Sequence, residues 1–191
     1  MNIFVYGTLM FPEVARSLAG KVNQMTPARL TGYARYEATL GEKANFPFVE
    51  LDSDQTVAGQ VLFGITSRQL AIFDWFEGEG EWYDRIEISI EQFHGLPKKI
   101  DANNNQSISC YVIGKTLRRQ LERYAAQMNR PLLRRLWDPV EFRQHWLPWY
   151  FWNTVVPILQ DPQFIRQFGQ RYDSKYVAEI CQKFAGDQSE N

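Results

Sequence analysis

Cysteine and histidine are scarce in this 191-residue chain, with only Cys110, Cys181, His94 and His145. The cysteines lie far apart and show no CxxC or secreted-scaffold spacing, so a disulfide framework is excluded and a reducing compartment is expected. A Cys/His zinc cluster lacks its ligands, which leaves only carboxylates for any hard cation. Neither charge sign dominates: 21 Lys and Arg stand against 22 Asp and Glu. The molecule therefore has no overall field to steer nucleic acid or an anionic membrane. Long apolar runs are absent as well. The longest uncharged stretch, Trp146 to Leu159, is broken by Pro148 and Pro157 and falls short of the roughly 20 apolar residues a bilayer span needs. The start, Met1 to Gly7, has no basic leader and reads as a first strand rather than a signal peptide. These absences predict a soluble, cytoplasmic protein with no nucleic-acid or membrane partner.

Familiar catalytic signals are missing too. The sequence contains no GxxxxGK[ST], HExxH or GxSxG, and Gly78 and Gly80 lack the third glycine of a dinucleotide fingerprint. Two histidines serve a Ser/His/Asp or Cys/His nucleophile poorly. His94 precedes Gly95 and Pro97 in an expected turn, and His145 lies among aromatic residues.

With 45% hydrophobic and 15% aromatic residues, the chain has ample apolar area for a packed core. Up to residue 113 it reads as short strands of period two: Ile3 and Val5; Val57, Val61, Phe63 and Ile65; Ile86, Ile88 and Ile90; Ile108, Cys110 and Val112. Further strand-like segments cover residues 28–40 and 47–51, and Asn103 to Asn105 reads as a hairpin or loop. Two helices interrupt them, one from Glu13 to Leu18 ended by Gly20, the other from Ser67 to Glu77 ended by Gly78. From residue 114 the pattern turns helical. Residues 115–135 carry seven Lys and Arg against the single acid Glu122, and an aromatic tract punctuated by prolines follows.

Two segments stand out. Thr66 and Gln69 have capping-box spacing, and with Gly78 they fix the register of the second helix. Leu70, Phe73 and Glu77 then share one stripe, which sets a carboxylate on an apolar face. A solvated helix end or an ion pair with Arg85 explains this structurally. The functional alternative is desolvation that raises Glu77 toward neutrality, as suits a general base, with Asp74 as its competitor. The second segment, Tyr6-Gly7-Thr8-Leu9, follows the first strand. It is either an ordinary turn or a nest of amides for an anion.

In order along the chain, Val5-Tyr6-Gly7-Thr8-Leu9, Pro27 to Tyr33, Phe46-Pro47, Val57 to Val61, Phe73 to Gly78 and Tyr83-Asp84-Arg85 resemble the gamma-glutamylcyclotransferase-like family, including its AIG2-like branch. The resemblance covers roughly residues 2–113. It implies an α+β fold in which a small, highly curved mixed β-barrel is flanked by helices, here a domain of residues 1–113 with a helical C-terminal extension over 114–191 packed on it. It also implies cyclisation of a small-molecule γ-glutamyl substrate to 5-oxoproline without cofactor or metal. Glu77 would be the general base and acid, and Tyr6, Gly7, Thr8 and Leu9 would supply donors to the substrate. Arg85 would hold a substrate carboxylate, or else form a strand salt bridge; Tyr83 and Tyr111 would line the pocket. Residues 78–82 and the extension depart from the pattern. A barrel that only binds a γ-glutamyl-like ligand is the alternative to turnover. The aromatic extension is expected to pack over the barrel or to form a homodimer contact.

Overall fold

The computed structural model describes residues 1–39, 45–97, 107–129, 135–169 and 173–187; Asn103 to Asn105 lie outside them. Six strands, β1 (Ile3–Val5), β2 (Gln24–Thr39), β3 (Asn45–Phe63), β4 (Tyr83–Ile88), β5 (Phe93–His94) and β6 (Ile108–Ile113), form one sheet in the order β4-β6-β1-β3-β2-β5. Among the strands of the described residues, only the β1–β6 pair is parallel. β1 is buried on both faces: Ile3 and Val5 join one apolar cluster and Phe4 the other. An unbroken Ile-Phe-Val run is what a doubly covered central strand requires.

The curl of the sheet follows from its inner cluster. Phe4, Leu30, Val61, Ile108, Ile88 of β4 and Phe93 of β5 all belong to it, and none of its fully buried members lies in a helix. Two edge strands can bury side chains in one cluster without a covering layer only if the sheet bends onto itself. Phe4 and Phe93 meet edge to face with centroids 5.3 Å apart. The result is the expected highly curved mixed barrel, open between β4 and β5. Gly59 permits the tight β1–β3 approach, because a Cβ there would lie 2.5 Å from the Val5 carbonyl oxygen.

β2 and β3 pair from Gln24↔Phe63 to Thr31↔Thr56 and again from Tyr33↔Leu51 to Thr39↔Asn45. The sequence reading divided β3 in two because Asp52 to Gln55 are polar. In the structure these residues form an outward excursion of one bent strand, opposite Gly32 with φ 84°. His94 lies in β5 opposite Arg29 rather than in a turn.

Helices cover the outer face. α1 (Pro12–Ala19) ends at Gly20 and α2 (Ser67–Glu77) at Gly78, both glycines at positive φ. The Thr66/Gln69 capping box is present in full. After β6 come α3 (Lys115–Gln127), α4 (Pro139–His145), α5, α6 (Pro162–Phe168) and α7 (Ser174–Asp187). α5 joins Leu147–Tyr150 to Val156–Gln160 through a π-helical turn, Phe151–Val155. Pro157 does not end this helix. Its ring clashes with the carbonyl four residues back in regular α geometry, and the wider turn just before it provides room.

One outer core is shared across residue 113: Val14, Leu18 and Phe73 cluster with Phe151, Phe164 and Phe184. Phe11 stacks on Phe142 at 5.6 Å. Glu13, with its side chain only 7% exposed, holds Arg143 at 2.8 Å and Lys183 at 3.5 Å, tying α1 to α4 and α7. Among the described residues, no helix is long and apolar enough to cross a membrane.

Because the cap fixes where α2 starts, Thr66→Ala is expected to lower stability by about 1 kcal/mol, read as a lower urea midpoint, with Thr66→Ser close to the parent.

Candidate active site

The chain leaves β1 at Val5 and turns through Tyr6 and Gly7 into a single 3-10 turn, Thr8–Met10. Gly7 has φ −107°, so a left-handed backbone is not the reason for glycine. Close approach is: a Cβ would lie 2.7 Å from Pro47 Cγ. Arg35 of β2 anchors the same turn from behind. Its Nη1 donates to the Tyr6 carbonyl at 2.8 Å and to the Ala58 carbonyl at 2.9 Å, and its Nε donates to the Trp137 carbonyl at 3.1 Å. In a trans peptide the N–H opposes the C=O, so the Gly7 N–H is directed away from Arg35. The amides of Thr8 and Leu9 open a helical turn and have no acceptor within it. Burial lowers the Arg35 guanidinium to about 10, with Asp138 and Tyr6 opposing that shift, and it stays a cation at neutral pH.

Glu77 is the last residue of α2, and Gly78 closes the helix with φ 64° and ψ 49°. Phe73, one turn earlier, is fully buried. The stripe read from the sequence therefore does face inward. The Glu77 side chain opens into a cavity, and desolvation raises its carboxyl to about 8. Arg85 does not pair with it. Arg85 Nε and the Tyr111 hydroxyl both donate to Asp74 Oδ1, at 2.9 and 2.6 Å. Of the two acids weighed on this helix, Asp74 is held in a polar cluster and Glu77 faces the empty space.

Buried phenols surround the carboxyl. Burial above all pushes Tyr6, Tyr83 and Tyr150 upward, with the nearby Glu77 charge adding to each. They remain protonated donors. Tyr83 donates to the Pro47 carbonyl at 2.8 Å, which fixes the wall against which Gly7 packs.

The cavity measures about 590 Å³. Tyr6, Gly7, Thr8, Leu9, Glu77, Tyr83 and Tyr111 all line it, so the structure brings these seven sequence-derived candidates together. Arg85 is the exception: its guanidinium is committed to Asp74 beside the cavity, and it is not among the described lining residues. Sequence reasoning missed the opposite wall. Trp146, Trp149, Tyr150, Thr154 and Ile158 reach the cavity from the extension, and the Tyr150 hydroxyl lies 3.5 Å from Thr8 Oγ1. The four-residue spacing of 146, 150, 154 and 158 was the available signal. Arg35 was missed as well, since an arginine on a strand carries no mark of the carbonyls it holds. Among the described residues no cluster of His, Cys, Asp and Glu is arranged to hold a metal ion. Chemically, the site joins a carboxyl able to accept or give a proton near neutrality to the backbone amides of the opening turn within largely apolar walls.

The family described as gamma-glutamyl cyclotransferase, AIG2-like, matches residues 3–131. Protein AIG2 C of Arabidopsis thaliana is 30% identical over 97 residues, 51% of this chain and 56% of that protein. Gamma-glutamylaminecyclotransferase C of Danio rerio is 29% identical over 101 residues, 49% of this chain and 64% of that one. The matched region thus spans little more than half the length of these relatives. A solution structure from Arabidopsis thaliana, 23% identical, aligns over 85% of each chain with a TM-score of 0.49. With two thirds of its length matched, the chain belongs to the family described as gamma-glutamyl cyclotransferase, AIG2-like.

Proposed function

We propose that the protein cyclises a γ-glutamyl amide to 5-oxoproline and releases the amine, with Glu77 as general base and acid. The observation that carries this reading is a carboxyl raised to about 8 inside a cavity that the opening turn, with its Gly7, Thr8 and Leu9 amides, also lines. The α-amine of such a substrate arrives mainly as ammonium. Glu77 accepts its proton, and the neutral nitrogen attacks the δ-carbonyl carbon. A second proton leaves the attacking nitrogen as one joins the departing nitrogen, and the old C–N bond breaks. Glu77 passes both protons. A carboxyl near 8 is better matched to an amine than an ordinary one near 4.5, and a bound ammonium draws it back toward ionisation.

Nucleophile and electrophile belong to one molecule, so holding it bent supplies much of the rate; oriented intramolecular reactions reach effective molarities of about 10⁵–10⁸ M. The Gly7, Thr8 and Leu9 amides offer donors to the developing oxyanion. Arg35 is a positioning residue here. Its charge-assisted bond to the Tyr6 carbonyl orients the Tyr6–Gly7 peptide and polarises the N–H on its other side. A barrel that merely bound its ligand gains nothing from a desolvated acid, which costs stability.

Glu77→Gln keeps size and removes basicity. It is expected to reduce 5-oxoproline formation from a panel of γ-glutamyl amides by about 10²–10⁴-fold, followed by mass spectrometry. The parent should show an acid limb near pH 8 in kcat/KM; undiminished turnover by the variant disproves the assignment.

The same group sets a pH dependence of stability. The folded value of about 8 lies above the ordinary 4.5, so between these values the folded state keeps a proton that the unfolded state has released. Stability contributed by protonated Glu77 is complete below about pH 4.5 and is lost as pH rises through 8. The stability advantage of Glu77→Gln over the parent, read from urea unfolding, is therefore expected to be smallest near pH 4.5 and to grow to pH 8, by at most about 1.4 kcal/mol per pH unit. A constant difference contradicts the burial of this carboxyl.

Arg35→Lys keeps the charge and loses the fork. It is expected to lower kcat by roughly tenfold, as partial loss of one aligned oxyanion donor, with KM changed less and the acid limb near pH 8 unmoved. A pure KM effect argues that the turn needs no such anchor.

A further inference from the structure

Resting on the cyclotransferase reading, we propose that the inner side of α5, together with Trp146 at its junction with α4, forms a leaving-group subsite, and that it selects γ-glutamyl amides whose amine carries an aromatic ring. Trp146 and Trp149 are its specificity-determining residues. Four observations combine to give this. The first is placement. Trp146, Tyr150, Thr154 and Ile158 recur every four residues and all meet the cavity. In a regular α-helix a four-residue stripe drifts around the axis; the π-helical turn at Phe151–Val155 takes up part of that drift and keeps one wall facing the site. Tyr150 marks where the wall joins the chemistry, since its hydroxyl reaches Thr8. Trp146, one turn earlier, and Trp149 lie on the side leading outward, with 48% and 44% of their surface exposed.

The second observation is charge. Glu77 and Glu81 are the ionisable acids of the lining, and no Lys, Arg or His occurs among its described residues. A leaving amino acid or dipeptide brings a carboxylate into that field without a cation to meet it, whereas an apolar amine brings none. The third is size. About 590 Å³ falls in the range of about 300–1,000 Å³ typical of pockets for drug-sized ligands, and a glutamyl group alone fills only part of it. The fourth is the surface on offer. Phe142 and Tyr150 are engaged edge to face at 5.6 Å, as are Phe46 and Trp82 at 6.0 Å on the barrel side, while the two half-exposed indoles turn apolar area toward the cavity. Flat rings of this kind accept another ring by offset or edge contact.

The test compares the full chain on γ-glutamyl-benzylamide, γ-glutamyl-ethylamide, γ-glutamyl-glycine and glutathione, which release alkyl amines or α-amino groups and differ in ring and carboxylate. Expected is a kcat/KM at least tenfold higher for the benzylamide than for the ethylamide, with the two carboxylate-bearing substrates lower still. Trp146→Ala and Trp149→Ala, each checked for an unchanged far-ultraviolet spectrum, should lower the benzylamide at least fivefold more than the ethylamide. Equal rates for benzyl and ethyl, a preference for γ-glutamyl-glycine or glutathione, or equal losses in the variants overturn the subsite. If no compound yields 5-oxoproline, calorimetric binding decides: benzylamide binding that exceeds ethylamide binding and is lost in Trp149→Ala supports the subsite while sinking the catalytic reading. Ring-independent binding, or none, overturns the subsite itself.

Discussion

The desolvation of one carboxyl governs the design of this molecule. Partly buried among apolar walls, Glu77 prefers the neutral form, and every unit by which its pKa rises represents about 1.4 kcal/mol set against the charged state. That preference exists only while the cavity stays walled, and several elements contribute walls. Phe73 seals the helix stripe behind the acid, Gly78 ends the helix so that the side chain meets the opening turn, and α5 closes the far side. Remove any of these and water reaches the carboxyl, lowering its pKa toward that of an ordinary glutamate.

Asp74 shows the contrast within a single turn. It shares α2 with Glu77, yet Arg85 and Tyr111 both donate to one of its oxygens. Two carboxyls three residues apart thus meet opposite fates: one satisfied by a cation and a phenol, the other left with burial and no ion pair among the described residues. A site that needs a proton carrier near neutrality must keep cations off that carrier, and Asp74 engages the Arg85 guanidinium beside the cavity. The price of Arg85's engagement is that it is unavailable to a substrate carboxylate, so the amides of the opening turn must serve any anion there.

How much of this was legible in the sequence depended on whether the signal was local. The register of α2 was, because its capping box and terminal glycine are short-range features, and the placement of Glu77 followed. The opening turn was also legible in position, although not in cause: Gly7 is demanded by Pro47, forty residues away, and no local pattern states that. β3 reads as two strands because polarity marks exposure rather than the end of pairing, and Ser53 to Gln55 are exposed while the strand continues around them. Arg85 was open between two roles since spacing does not reveal which neighbour a long side chain chooses. The extension was recognised as helical and aromatic, yet its pocket-facing stripe depends on a π-helical turn, which 3.6-residue periodicity does not anticipate.

The division of the cavity between two parts of the chain has a consequence for how substrate choice and chemistry relate. The family match ends at residue 131, and the acid, the opening turn and the phenols Tyr83 and Tyr111 all precede that limit. The α5 wall follows it. In the proposed reaction a γ-glutamyl group presents the same atoms whatever amine it carries, so the segment that would bend it and move its protons has one task. On the same proposal the leaving amine differs from substrate to substrate and would meet a wall drawn from elsewhere. Yet the two parts are not independent. Tyr150 touches Thr8, Arg35 bonds both Tyr6 and Trp137, and Glu13 ties α1 to α4 and α7. A change in the wall therefore has a physical route to the opening turn, and under the proposed reaction any selectivity gained there would be bounded by the precision of alignment that cyclisation requires.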